Sequence, residues 1–184
     1  MMKIRMPHAP YIANKIAIDL LNSGYATFSN GIEPIKESVQ VVFEEDLKKE
    51  EALEQRVEEL LEDNEDEMEF NRIDRRSMFW MIKKKIAKEY DVILSYEDRY
   101  NNIAHEMLDK LWQEDLMDYT VAENTMKNVI LNALEAYVNG FEDIEEIVIE
   151  KIRHMKRDMY PGTDEYNTVF ERLYREELQK KGMF

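Results

Sequence analysis

The chain has 184 residues, with 40 acidic side chains against 25 basic ones and a net charge of −15. It contains no cysteine, which excludes disulfides, thiolate nucleophiles and Cys-ligated zinc. Five Gly and four Pro are too few for the turns of an all-β fold, and 44% hydrophobic with 35% charged residues describes a globular chain with a heavily charged surface.

In chain order, the opening Met1-Met2-Lys3-Ile4-Arg5-Met6-Pro7 has no apolar signal-peptide core. No apolar run reaches the roughly 20 residues of a membrane span, so a cytoplasmic protein without a membrane partner is expected. A first helix is predicted from about Pro10 to Asn22, with Pro10 in its first turn. A second carries Ile35, Val39, Val42 and Phe43 at helical spacing, and a third carries Leu53, Val57, Leu60 and Leu61. Residues Asp63 to Ile73 are read as a loop. A fourth helix places Met78, Phe79, Ile82 and Ile86 on one face.

The same series then repeats. Ser95 and Asp98 cap a helix running to about Glu114, with Ile103, Met107, Leu108, Leu111 and Trp112 in phase. Thr120 and Glu123 have capping-box spacing, Met126, Val129, Ile130, Ala133, Leu134 and Tyr137 form a stripe, and Gly140 is the expected C-cap. Ile144, Val148 and Ile152 mark a third helix, Pro161-Gly162-Thr163 a turn, and Val169, Phe170, Leu173 and Leu178 a fourth helix. The offset between the series is constant: Ile12 to Ile103, Val57 to Val148 and Phe79 to Phe170 each differ by 91. The expected fold is therefore all-α, with two tandem copies of a four-helix unit, residues 1–92 and 93–184, packed about a pseudo-two-fold axis. Trp112, Leu116 and Tyr119 are expected to form a buried cluster, with Leu21, Tyr25 and Phe28 in the matching place.

The residues Ile103-Ala104-His105, Trp112, Asp115-Leu116-Met117-Asp118-Tyr119 and the closing Tyr174-Arg175-Glu176-Glu177-Leu178 resemble a bacterial family known as domain of unknown function 507. Its members look like one such unit or a pair. The first half departs from the pattern, with Asn14, Leu21 and Gly24 where the second has His105, Trp112 and Asp115. The resemblance implies the helical fold and brings no activity, cofactor or catalytic residue with it.

Catalytic and metal motifs are sparse. His105-Glu106-Met107-Leu108-Asp109 has Asp where a zinc-protease helix has its second His, and the surface reading is preferred. His8 and His154 are read as surface residues, and Ser23, Ser29, Ser38, Ser77 and Ser95 as caps or surface residues. The acidic run Asp63-Asn64-Glu65-Asp66-Glu67 lacks the Gly and terminal Glu of a calcium loop and reads as a solvated linker. No catalytic residue, metal or cofactor is expected.

Charge is strongly segregated. Residues 44–69 hold 14 acidic and three basic side chains, whereas 72–88 hold seven basic ones and the lone Asp74. Within that basic helix Arg76, Trp80, Lys83 and Lys84 are the candidate partner-binding residues, since Trp and Arg dominate binding hot spots. The position matching Trp80 is Glu171, so the repeat itself does not require an aromatic there. Packing of Trp80 between the copies, or beneath the acidic run, is the competing reading. Asp115 and Asp118 form a candidate acidic surface, or else cap the connection that follows Trp112. The expected function is a non-catalytic adaptor or scaffold that binds another protein. The alternatives are a nucleic-acid-associated protein using helix 72–88 and a carboxylate-based enzyme.

Overall fold

The computed structural model describes residues 4–155 and 159–181. Its helices are α1 (Ala9–Asn22), α2 (Ile32–Asp63), α3 (Glu65–Phe70), α4 (Arg75–Ile86), α5 (Tyr96–Gln113), α6 (Glu123–Arg153) and α7 (Asp164–Lys180). Two three-residue strands, β1 (Ala26–Phe28) and β2 (Met117–Tyr119), pair antiparallel. The fold is all-α around that short ribbon.

The break expected between second and third helices is absent in both halves. In α2 the stripe Phe43, Leu47, Glu50, Leu53, Val57 and Leu61 stays in helical phase with no Gly or Pro after Pro34, so the helix runs on for 32 residues. At 1.5 Å per residue it is about 48 Å long. Gly140 lies inside α6 and is no cap. A Gly in a helix interior costs about 1 kcal/mol relative to Ala, which the buried Tyr137, Val138, Phe141, Ile144 and Val148 around it outweigh. The cap of α6 also differs from expectation. Ala122 occupies the N-cap without a side-chain bond, because Thr120 is drawn into the ribbon and its N–H donates to the Tyr25 carbonyl at 3.1 Å. Ser95 does cap α5, its hydroxyl accepting from the Asp98 N–H. The run expected as the loop Asp63–Ile73 contains α3.

α1 packs on both α2 and α6, and α5 on both α6 and α2, while α4 lies against α2 and α7 against α6. The main core draws on both halves, from Ile12, Ile16 and Leu20 through Ile103, Leu108 and Leu111 to Ile144, Val148 and Leu178. Beyond residue 50 of α2 a separate cluster forms beneath α4, from Leu53, Val57, Leu61, Met68, Ile86, Ala87 and Val92.

The ribbon register is Ala26 opposite Tyr119, Thr27 opposite Asp118 and Phe28 opposite Met117. Thr27 thus faces the residue 91 positions on (118 − 27 = 91). Its flanking bonds follow the same offset: Ser29 N–H donates to Leu116 at 3.0 Å and Thr120 N–H to Tyr25 at 3.1 Å. Gly24, before β1, is left-handed at φ 77°, and Asp115, in the same place before β2, at φ 53°. Asp is among the few side chains that visit this region at modest cost.

His8 was expected at the surface and is buried, with its ring 4.6 Å from that of Phe141. Ser38 is likewise buried, on the inner face of α2 rather than at a helix end. The expected cluster around Trp112 is corrected in part. Leu116, Tyr119 and Phe28 pack against the main core, but Trp112 is 55% exposed, Leu21 and Tyr25 are exposed as well, and Trp112 keeps an edge-on contact with Tyr119 at 5.6 Å.

Candidate functional site

α4 begins at Asp74, whose carboxylate accepts from the Ser77 N–H at 2.9 Å. That bond, reinforced by the Ser77 hydroxyl, holds the Asp74 carboxyl below its usual range. From this start the helix turns Ile82, Lys83 and Ile86 toward α2, with Met78 and Phe79 half-buried beside them. The outer face carries Arg76, Trp80 and Lys84 at successive i+4 steps, and Met81 and Lys85 beside them. Trp80 is 44% exposed and Met81 more so, so neither side chain is enclosed. Its inner edge meets Phe79 at 6.0 Å.

Lys83 does not belong to that face. It is 4% exposed, and its ammonium donates to Glu54 at 2.7 Å and Glu50 at 3.2 Å while lying 5.3 Å from the Trp80 ring centre. As a partner-binding residue it is therefore corrected to a structural one. A buried ammonium stays charged only with such partners, and here they come from the acidic helix next to it.

Lys83 is one end of a network that the sequence reading missed. Arg99, on the first turn of α5, donates from Nε to Asp46 at 2.8 Å and from Nη1 to Glu50 at 2.8 Å. Glu50 thereby joins α2 to α4 and α5 at once. Burial pushes its carboxyl up, but Arg99 and Lys83 override this and hold it below the ordinary range. Burial opposes the charge on Arg99, and Asp46 and Glu50 outweigh it, keeping the guanidinium firmly protonated. A carboxylate gripped in this way is a poor proton donor or base near neutrality. Its chemistry is cohesion.

A signal for the network did exist. Glu50 sits in phase with the apolar stripe of α2, and the residues 91 positions from Asp46, Glu50, Lys83 and Arg99 are Tyr137, Phe141, Tyr174 and His8. In the structure Tyr137 is edge-on to Phe141 at 4.8 Å, His8 is tilted against the same ring, and Tyr174 lies near Tyr137. Burial raises the hydroxyl pKa of both tyrosines. One half closes with charges what the other closes with rings.

The remaining cations of the basic segment differ from Lys83. Arg75 pairs with Glu58 at 2.6 Å, but Arg72, Arg76, Lys84, Lys85 and Lys88 make no side-chain ion pair among the described residues. The candidate acidic residues Asp115 and Asp118 are both exposed, Asp115 at the left-handed turn after α5 and Asp118 on the ribbon opposite Thr27. They do not converge on a cleft with the basic face. His154 is exposed as expected.

The family model described as Protein of unknown function (DUF507) matches residues 2–183, and the chain belongs to that family. No curated protein matches it. No helix among the described residues is long and apolar enough to cross a membrane.

Proposed function

We propose that the protein is a non-catalytic helical interaction module that docks an acidic segment of another protein on the outer face of α4. The observation that carries this reading is the sorting of the basic residues. The inward Lys83 and the flanking Arg75 are paired, whereas Arg72, Arg76, Lys84, Lys85 and Lys88, before, along and after the helix of Trp80 and Met81, are exposed and make no side-chain ion pair among the described residues. In a chain of net charge −15, five exposed cations left without an ion pair among the described residues form a surface for an anionic partner. Exposed Trp80 and Met81 supply desolvatable apolar area at its centre, the usual anatomy of a binding hot spot.

A short acidic amphipathic segment fits this face better than a long polyanion. The neighbouring α3 and the end of α2 present Glu62, Asp63, Glu65, Asp66, Glu67 and Glu69, which repel phosphate continuing past the patch. Placement of the whole molecule supports the adaptor reading as well. Adding 91 to the bounds of α2 gives 123–154 against Glu123–Arg153 for α6, and adding it to β1 gives 117–119, the bounds of β2. This favours two copies, 1–92 and 93–184, about a pseudo-two-fold axis through Thr27 and Asp118, of which only the first carries the basic face.

Trp80→Ala tests the proposal. Its melting midpoint should fall by only about 2–4 °C, the scale of one aromatic contact, while binding of a Glu-rich amphipathic peptide, read by fluorescence anisotropy, should weaken at least tenfold. Arg76→Glu with Lys84→Glu should abolish it. Unchanged peptide binding in both variants sinks the docking surface. Capture of single-stranded oligonucleotide with a steep salt dependence, lost in the same variants, would instead establish the nucleic-acid reading.

A further inference from the structure

Further along α5 from Arg99, His105 and Asp109 stand one turn apart, and Glu123 opens α6. The i, i+4 spacing puts the imidazole and the Asp109 carboxylate on one face of the helix. The ribbon strand between the two helices then brings the start of α6 back to that face. His105 Nδ1 lies 3.2 Å from Glu123 Oε1, and Nε2 lies 3.5 Å from Asp109 Oδ2. One donor atom from each of the three residues lies within 4.8 Å of the other two.

We propose that His105, Asp109 and Glu123 form a site for one first-row divalent transition ion of the zinc or cobalt type. One imidazole with two carboxylates is a donor set for such ions, whereas calcium and magnesium take oxygen alone. Metal–donor bonds of about 2.0–2.1 Å in a tetrahedron require donor atoms about 3.3 Å apart. Nδ1 faces Glu123 and Nε2 faces Asp109, so one carboxylate must swing round the ring to share a single nitrogen with the other, a movement open to side chains that are half-exposed. Three protein ligands on an open surface leave the remaining positions to water.

The charges around the cluster point the same way. Lys110, the nearest cation in sequence, is held by Glu114 at 3.0 Å, and neither Asp109 nor Glu123 pairs with Lys or Arg among the described residues. Two carboxylates thus converge on one imidazole with no fixed cation to balance them. An exposed His–carboxylate pair adds little stability, so folding does not explain the convergence; a dication neutralises it. The fold does not demand these residues either, because the positions 91 before them are Asn14, Ile18 and Ile32. Among the described residues this is the one such cluster. This inference is independent of the docking surface on α4.

The measurement is zinc titration of the untagged full chain by calorimetry, with cobalt absorption reporting geometry. Trp112, three residues beyond Asp109, gives a second readout: cobalt should quench its emission in a Trp80→Phe background. One zinc ion per chain with a micromolar Kd is expected. His105→Ala, Asp109→Asn and Glu123→Ala should each weaken binding at least tenfold at unchanged circular dichroism, and His154→Ala should have no effect. Millimolar magnesium or calcium should not displace the zinc. Absence of saturable binding, an affinity unmoved by His105→Ala, or ready displacement by calcium would overturn the proposal.

Discussion

Arg99→Met isolates the contribution of the buried ionic network, because it keeps most of the aliphatic stem and removes only the charge and its donors. The guanidinium bonds Asp46 and Glu50, which are not equally vulnerable to its loss. Asp46 is partly exposed and regains water, whereas Glu50 is 6% exposed and retains only Lys83, itself shared with Glu54. Breaking a buried pair by removing one partner costs about 3–5 kcal/mol. Rehydration of Asp46 and the surviving Lys83 place this case near about 3 kcal/mol, or about 6–12 °C in Tm for a chain of this size. The pH dependence separates this cause from simple loss of packing. In the parent, Glu50 titrates below its unfolded value, so its contribution is present above that value and lost as pH falls through the folded one. In the variant, burial dominates and the orphaned carboxyl is relieved by protonation. The stability gap between parent and variant, from urea unfolding, should therefore be widest near about pH 7 and narrow toward about pH 4. A gap below about 1 kcal/mol near neutrality, or one that widens in acid, would refute the reasoning.

Trp112→Ala should cost only about 1 kcal/mol, the scale of an aromatic pair, since Tyr119 is its ring partner and more than half of it is exposed; denaturant midpoints check this. Hydrogen exchange should release the amides of α4 before those of α7, because α4 rests on the small separate cluster and α7 on the main core. Equal protection of the two helices would contradict that division.

The sequence made the apolar stripes legible, and with them the helical class, the core faces and the separation of Trp80 from the inner face of α4. Less legible was anything decided by contact between distant segments. A three-residue strand has no period to detect, so β1 and β2 passed unseen, and with them the reason Thr120 does not cap α6. Gly140 resembled a helix end because local chemistry favours one there; burial on both sides of it prevailed. Lys83 sits at the flank of the core stripe, where a long side chain turns outward or inward according to its partners. Those partners, Glu50 and Glu54, are about thirty residues away. His105 and Asp109 were visible as a near-motif, but Glu123 had been assigned to a cap.

The ionic network also explains why the core is divided in one half and continuous in the other. Along α2 the apolar stripe is interrupted by Glu50, with Leu47 in the main core on one side and Leu53 in the smaller cluster on the other. Along α6 the corresponding residue is Phe141, and Tyr137, Phe141 and Ile144 pass through without interruption. A charge at that position must be matched by charges from the helices packed on it, which are Lys83 from α4 and Arg99 from α5. Such matching specifies one register for α4 more sharply than apolar contact does, since a slipped helix would leave Glu50 unpaired in the interior. It contributes less net stability than an aromatic filling of the same space. The half with the fixed register is also the half whose outer helix presents Trp80 among exposed cations. For the proposed docking face, such a network holds the helix in register from beneath without adding much to its net stability.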